Sequence, residues 1–419
     1  MELKQGYKQT EAEVIPEDWD VKSICEIGQI QTGPFGTLLR ASEYSDNEGV
    51  PLVSVGEIKE GNICVAEHTP RVPEKVLQRL PQYILKTGDI VFARKGSVDR
   101  SAIVTQAENG WFLGSDGIRI RPSSNCHPPY LAAQFQSKRV QSWLIKNAIG
   151  TTMASLNQAI LSQVQIPYAT ESEQRAIATA LSDVDALLDG LDRLIAKKRD
   201  LKQAAMQQLL TGKTRLPGFE GEWSEERLGD HGSFLKGSGV KKDESQSGEI
   251  PCVRYGELYT KHHEYIKSYY SFITPTVAKT AQLLKRGDIL FAGSGETKEE
   301  IGKCAAFLDE REVYAGGDVV IFRPEGIDSL YLGFYLNAPA VNRQKASKGQ
   351  GDAVVHISAS ALADLIINIP TDVHEQAAIA AVLKDMDAEI EALEQRRAKT
   401  HNLKLAMMQE LLTGRIRLV

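Results

Sequence analysis

The sequence predicts an α+β chain: two mixed α/β globular modules joined by two long helices that pair as an antiparallel coiled coil, with internal pseudo-two-fold symmetry. Three observations carry this. The chain repeats itself once, at an offset of about 202 residues. Two stretches of roughly forty residues keep a helical apolar spacing. The segments before them alternate short apolar runs with Gly-rich turns, as strands do.

The repeat divides the chain into a first globular module (1–169), a central helix (170–216), a second module (217–370) and a C-terminal helix (371–419). LKQAAMQQLLTGKTRL, Leu201 to Leu216, returns as LKLAMMQELLTGRIRL, Leu403 to Leu418. EQRAIATALSDVDALLDGL from Glu173 returns as EQAAIAAVLKDMDAEIEAL from Glu375. The globular modules share only a skeleton: Trp19 and Gly33 match Trp223 and Gly237, and LKTGDIVFA from Leu85 matches LKRGDILFA from Leu284. One helical module is therefore used twice, and one globular framework carries two different surfaces.

Each helix opens on a capping-box spacing, Thr170 with Glu173 and Asp372 with Glu375. Apolar residues then follow in 4-3-4-3 order: Ile177, Leu181, Val184, Leu188 and Leu191, and again Ile379, Leu383, Met386, Ile390 and Leu393. That is a coiled-coil seam in one register in both copies. It blurs around Lys198 and Arg397, resumes as a wider Leu/Met/Ala stripe through Leu209 and Leu411, and Gly212 and Gly414 stop the helices. Helices packed only on their own modules are the alternative; two long matched stripes favour mutual pairing. A helix of this length spans about 60 Å. Antiparallel pairing would set the modules at opposite ends of a rod comparable to one to two turns of B-DNA, about 34 Å each.

Within the modules, Asp89 to Phe92, Ala102 to Val104 and Gly117 to Ile120 read as strands. Tyr130 to Lys146 and Tyr331 to Lys345 read as helices, and Val164 to Pro167 and Ile366 to Pro370 as last apolar segments before the long helices.

Composition narrows the function. Hydrophobic residues make up 42% of 419 and charged residues 25%, a globular balance without the long apolar run of a membrane span. The first twenty residues lack the apolar core of a secretory signal. Five scattered cysteines, Cys25, Cys64, Cys126, Cys252 and Cys304, form no CxxC pair, so a reducing cytoplasm is expected. Net charge is −6, and each globular module is slightly acidic (17 basic against 18 acidic residues, then 17 against 22), which excludes an indiscriminate DNA coat but not a local basic patch.

The ordered set resembles the specificity (S) subunit of Type I restriction–modification systems, also called HsdS. It comprises IPEDW at Ile15 to Trp19, the IP…EQxxIA start and LLTGxxRL exit of each helix, and the GDIxFA skeleton. The resemblance covers essentially the whole chain. It implies two target recognition domains that read the halves of a bipartite double-stranded DNA site. It also implies a helical spacer that docks two methyltransferase subunits and, through them, restriction/translocase subunits. The family's S subunit has no catalysis of its own; S-adenosylmethionine, ATP and magnesium belong to its partners.

Enzyme motifs, tested separately, fail. Cys126-His127-Pro128-Pro129-Tyr130 approaches a methyltransferase loop, but His127 replaces its amide or acid and no cofactor loop exists. Leu210 to Thr214 ends like a P-loop without its first glycine. Asp288 with Glu296 and Lys298 has nuclease-like order that the first copy lacks. The histidines show no ligand spacing, and His262-His263 reads as a solvated loop.

Candidate DNA contacts are polar and basic loop residues that differ between the copies. In the first module these are Arg40 on the Gly-rich loop from Thr32, Arg94, Lys95, Ser97 and Arg100 between two strands, and Thr151 with Thr152. In the second they are Lys241, Lys242, Arg254, Tyr255, Ser294, Lys298, Arg343, Lys345, Lys348 and Gln350. A self-sufficient DNA enzyme and a coiled-coil scaffold with two protein-binding heads are the competing functions. The first lacks motifs and the second predicts no DNA affinity.

Overall fold

The structure, a computed structural model, describes residues 5–418 except 12, 151–152 and 352–353, and leaves the Lys242 side chain undescribed. The chain forms two compact units, Met1–Asp192 with Arg396–Val419, and Arg193–Gln395.

The first unit is built on a four-stranded antiparallel sheet in the order Gly28–Thr32, Gly117–Pro122, Ile90–Ala93, Ser101–Ile103. Ile90, Phe92, Ile118 and Ile120 turn one face onto Leu131, Phe135, Val140 and Leu144 of the following helices. Val91 and Ala102 turn the other face onto Leu52, Val53 and Phe112 of a three-stranded sheet. Alternation along the strands thus serves two cores, which is why these short runs are apolar at nearly every position.

The second unit repeats the sheet with Gly232–Lys236, Val319–Pro324, Ile289–Ala292 and Cys304–Ala306. Its second sheet is four-stranded, ordered Ser271–Ile273, Ile250–Val253, Tyr314–Ala315, Gln282–Leu283. The GDIxFA aspartates hold the same place in both units. Asp89 grips Arg121 through both carboxylate oxygens at 2.7 Å, and Asp288 grips Arg323 at 2.8 Å. Asp288 is buried in this pair, which removes it from any nuclease arrangement with the exposed Lys298. Close approach explains the matched glycines: a Cβ on Gly33 would lie 1.8 Å from the Gly114 oxygen, and one on Gly237 2.0 Å from that of Gly316.

Two expected helices are each divided. Pro128–Gln136 ends before Ser137, whose hydroxyl accepts the Val140 N–H and starts Lys138–Asn147. Ser329–Tyr335 likewise precedes Pro339–Lys348, because Pro339 restarts the backbone at a first-turn position. The segments before the long helices are strands: Gln165–Tyr168 pairs with Asp20–Ser23, and Ile366–Pro370 with Trp223–Arg227.

The long helices run Glu171–Leu209 and Val373–Leu411. Gly212 and Gly414 follow at φ 68° and 70°, the left-handed stop that the sequence predicts. Ion pairs fix their antiparallel packing within each unit. In the first, Lys404 meets Asp185 at 2.6 Å and Arg397 meets Asp192 at 2.5 Å. In the second, Lys202 meets Asp387 at 2.6 Å, Lys198 meets Glu389 at 2.6 Å and Arg199 meets Glu394 at 2.5 Å. Numbers rise on one helix as they fall on the other.

Of the seam residues, Ile177, Leu181, Leu188, Leu191, Ile379, Leu383 and Ile390 are buried, while Val184, Met386 and Leu393 are half-buried. Buried Ile195 and Thr400 carry the stripe through the stretch where the sequence predicts it to blur, and Leu209 and Leu411 are buried beyond it. The first capping box is half-formed and the second is replaced by a different cap. Thr170 Oγ1 accepts the Glu173 N–H at 3.4 Å, but the Glu173 carboxylate turns away from it to Arg417. Asp372 Oδ1 accepts the His374 N–H at 2.8 Å, and the Glu375 carboxylate turns to Arg215.

Candidate nucleic-acid interface

Both candidate surfaces grow from one backbone device. In the first unit Ser155 bridges Ile149 on one side and Lys95 on the other; in the second His356 bridges Gln350 and Ser294. The bonds match: Ser155 and Ile149 exchange N–H to oxygen bonds of 2.8 and 2.9 Å, and His356 and Gln350 exchange bonds of 2.7 and 2.9 Å. Leu156 N donates to Arg94 O at 2.8 Å, and Ile357 N donates to Gly293 O at 3.0 Å. Identical ladders therefore present different side chains.

The structure brings several predicted residues to these ladders. Lys95 is exposed and pairs with Asp116 at 3.2 Å, and the Arg94 guanidinium lies 5.5 Å from the ring centre of exposed Phe35. Ser97 is half-buried and Arg100 exposed on the same loop. Ser294 is buried, with Oγ 2.8 Å from His356 Nδ1, and Gln350 is exposed on the neighbouring strand position. Thr151 and Thr152 lie outside the described residues.

Other candidates stand elsewhere or serve the fold. Arg40 and Lys241 are exposed at the starts of short 3-10 turns, where their N–H groups donate to Glu43 and Glu244. Lys242 lies within the second of those turns. Arg254 is half-buried at the start of Tyr255–Thr260, and Tyr255 packs on the core beside Val253 and Leu258. Lys298 and Arg343 are exposed, and Lys348 is half-buried.

Lys345 is a correction. It is fully buried, its Nζ donates to Gly302 O at 2.8 Å, and burial lowers its pKa, so it supports the Gly293–Gly302 turn from beneath and meets no DNA. Leu144 is the buried residue at the same helix position in the first unit, Val140 and Val341 each preceding by four. The reading of His262-His263 as a solvated loop is also corrected. His263 is exposed, but His262 is buried against Tyr270, and burial with nearby His263 and Lys303 pushes its pKa down to about 4.

Sequence reasoning missed His356, Lys236 and Gln158, which stand on or beside the ladders. Their signal was positional: His356 occupies the place of Ser155, and Lys236 that of Thr32, opposite Val320 and Ile118 respectively. It also missed what the helix motifs do. Glu173 is buried; its carboxylate takes both arms of the Arg417 guanidinium and accepts the Trp19 indole N–H at 2.8 Å. Glu375 is buried in the second unit and takes Arg215 at 2.5 Å through both oxygens. The exit arginine of one helix thus locks the starting glutamate of the other. The adjoining glutamines tie each helix to its domain: Gln174 donates to Ala169 O and accepts from His127 N, and Gln376 does the same with Pro370 and Asp328. Tyr130, which a methyltransferase loop would expose, is buried and donates its hydroxyl to Pro167 O at 2.9 Å.

Two α/β domains with one framework and divergent ladders, on helices locked end to start, define a paired recognition module. The Type I restriction modification DNA specificity domain matches residues 16–197 and again 220–400, so the chain belongs to that family and carries two of its recognition domains. The MjaX specificity subunit of Methanocaldococcus jannaschii is 24% identical over 99% of this chain and 97% of its own length. The MjaVIII subunit of the same organism is 29% identical over 51% of this chain and 50% of its own. The crystal structure of the Type-I restriction-modification system S subunit from M. genitalium superposes with a TM-score of 0.59 at 14% identity, covering 98% of both chains.

Proposed function

We propose that this chain is the non-catalytic DNA reader of a Type I restriction–modification complex, each recognition domain reading one half of a bipartite site in double-stranded DNA. The paired helices set the unread spacer and dock two methyltransferase subunits, and through them restriction/translocase subunits. S-adenosylmethionine, ATP and magnesium are assigned to those partners, and the complex to the cytoplasm, where the five free cysteines stay reduced. Among the described residues no helix is long and apolar enough to cross a membrane.

One observation carries the reading: at the two ladders the backbone is repeated and the side chains are not, whereas the Arg–Glu locks of the helices are repeated residue for residue. Equal helix ends suit two equal partners, and unequal ladders suit two unequal DNA sequences. Single-molecule methylation mapping of the source cell's genome, with and without this gene, tests it. Loss of methyl-adenine at one split motif, two short half-sites around a fixed gap, is the expected result. No change in any methylated motif would refute it.

A further inference from the structure

Beside the ladder of the second unit lies a cleft of about 410 Å³, whose polar lining is Lys236, Ser294, Asp318, His356 and Ser358. Ser294 Oγ engages His356 Nδ1, which orients an exposed imidazole and leaves Nε2 as the nitrogen that a ligand meets. The Gly293 N–H donates to Asp318 O at 2.8 Å, closing the floor of the cleft with backbone alone.

Sheet and ladder register carry the same positions into the first unit. Thr32 stands for Lys236, Arg94 for Gly293, Lys95 for Ser294, Ser155 for His356 and Gln158 for Ala359. The floor is kept, since Arg94 N donates to Asp116 O at 2.8 Å just as Gly293 N donates to Asp318 O. The Gln158 side-chain amide donates to Thr32 Oγ1 at 3.1 Å, and Lys95 reaches Asp116 at 3.2 Å. Each unit therefore offers one exposed lysine and one further side chain able to hydrogen-bond a planar edge, but from opposite walls: Lys236 with His356, and Lys95 with Gln158. The surrounding skeleton, down to the Asp89–Arg121 and Asp288–Arg323 pairs, is unchanged. Side chains that support a fold need not change hydrogen-bonding type while their backbone stays fixed; side chains that read different bases must.

From this we infer that the ladder cleft of the second unit, and the matching ladder positions of the first, are the base-reading sites of the two recognition domains. Their ligand is the hydrogen-bonding edge of a base pair in duplex DNA, met by Lys236 and His356 in one half-site and by Lys95 and Gln158 in the other. A lysine suits the paired acceptors of guanine, and a glutamine amide suits the donor and acceptor of adenine. The inference rests on the reading that the two domains recognise DNA, and it names where.

The test uses the assembled complex, this chain with its co-expressed partner subunits, and maps methylated sites for His356→Ala, Lys236→Ala, Lys95→Ala and Gln158→Ala. Each substitution is expected to lower base preference about tenfold or more at one position of one half-site, the scale of a lost base contact. The first two act on one half and the last two on the other. The unaltered half-site in the same molecules reports that the chain is folded. His356→Asn and Lys236→Gln, which keep a hydrogen-bonding group, are expected to shift the preferred base with methylation retained. An unchanged motif for all variants overturns the inference. So does a uniform fall in methylation with every base preference intact, the mark of phosphate contacts. If the unmodified complex shows no split motif, the proposed function fails first and independently.

Discussion

At the scale of single residues, the buried glutamates at the helix starts decide most. Glu173 would occupy the third helical position of a capping box, and the sequence spacing shows nothing else. Its carboxylate instead neutralises Arg417, which also grips Asp18 at 2.8 Å. A buried carboxylate stripped of its cation is costly to keep charged, so Arg417→Ala is expected to destabilise the first unit by about 3 kcal/mol, on the scale of breaking a buried ion pair. Arg417→Lys should recover only part, because an ammonium cannot supply the two-armed contact. Urea unfolding followed at Trp19, whose indole N–H bonds the same glutamate, measures both. His262 gives a second prediction. Its pKa, about 4 when folded, lies below the usual value of about 6.5 for the unfolded chain. The unfolded state therefore binds the extra proton between those values, so the contribution of His262 is complete above about pH 6.5 and lost as pH falls toward 4. Melting of wild type and His262→Gln should converge as pH drops from 7 to 4.5. A gap independent of pH would contradict this.

At the scale of elements, the long helices were the most legible part of the chain. A 4-3-4-3 spacing repeated twice has little other physical meaning, and seven of its ten residues are buried with the other three half-buried. Where it was expected to blur, the seam changes chemistry rather than ending. Ile195 and Thr400 stay buried, and Lys202 with Asp387 and Lys404 with Asp185 replace apolar contact by the same ion pair in each unit. Leu191→Ala, in the middle of this seam, is expected to cost about 2–4 kcal/mol in chemical unfolding, whereas exposed Leu187→Ala should cost under about 0.5. Shorter elements were less legible. Nothing in Tyr130 to Lys146 announces that Ser137 will cap a new helix, because a serine inside an apolar pattern is tolerated until the chain's packing demands a bend. The ladder positions were half legible. Lys95 and Ser294 were visible as polar loop residues, but His356 lies 62 positions from the serine that orients it, and only the folded register joins them.

At the scale of the whole molecule, duplication and divergence divide the labour. The helices repeat the Arg–Glu locks and the central Lys–Asp pair, and the recognition domains repeat the four-stranded antiparallel sheet and the ladder backbone while changing the side chains on the ladders. Each domain should then carry its half of the recognised sequence wherever the framework places it. The most direct test replaces residues 220–370 with a second copy of residues 16–169, leaving Arg215, Glu375 and the rest of both helices in place, and maps the methylation that the resulting complex deposits. The expected result is a symmetric motif: two inverted copies of the half-site read by the first domain, around an unread gap. Retention of the original second half-site after its domain has been removed would contradict it.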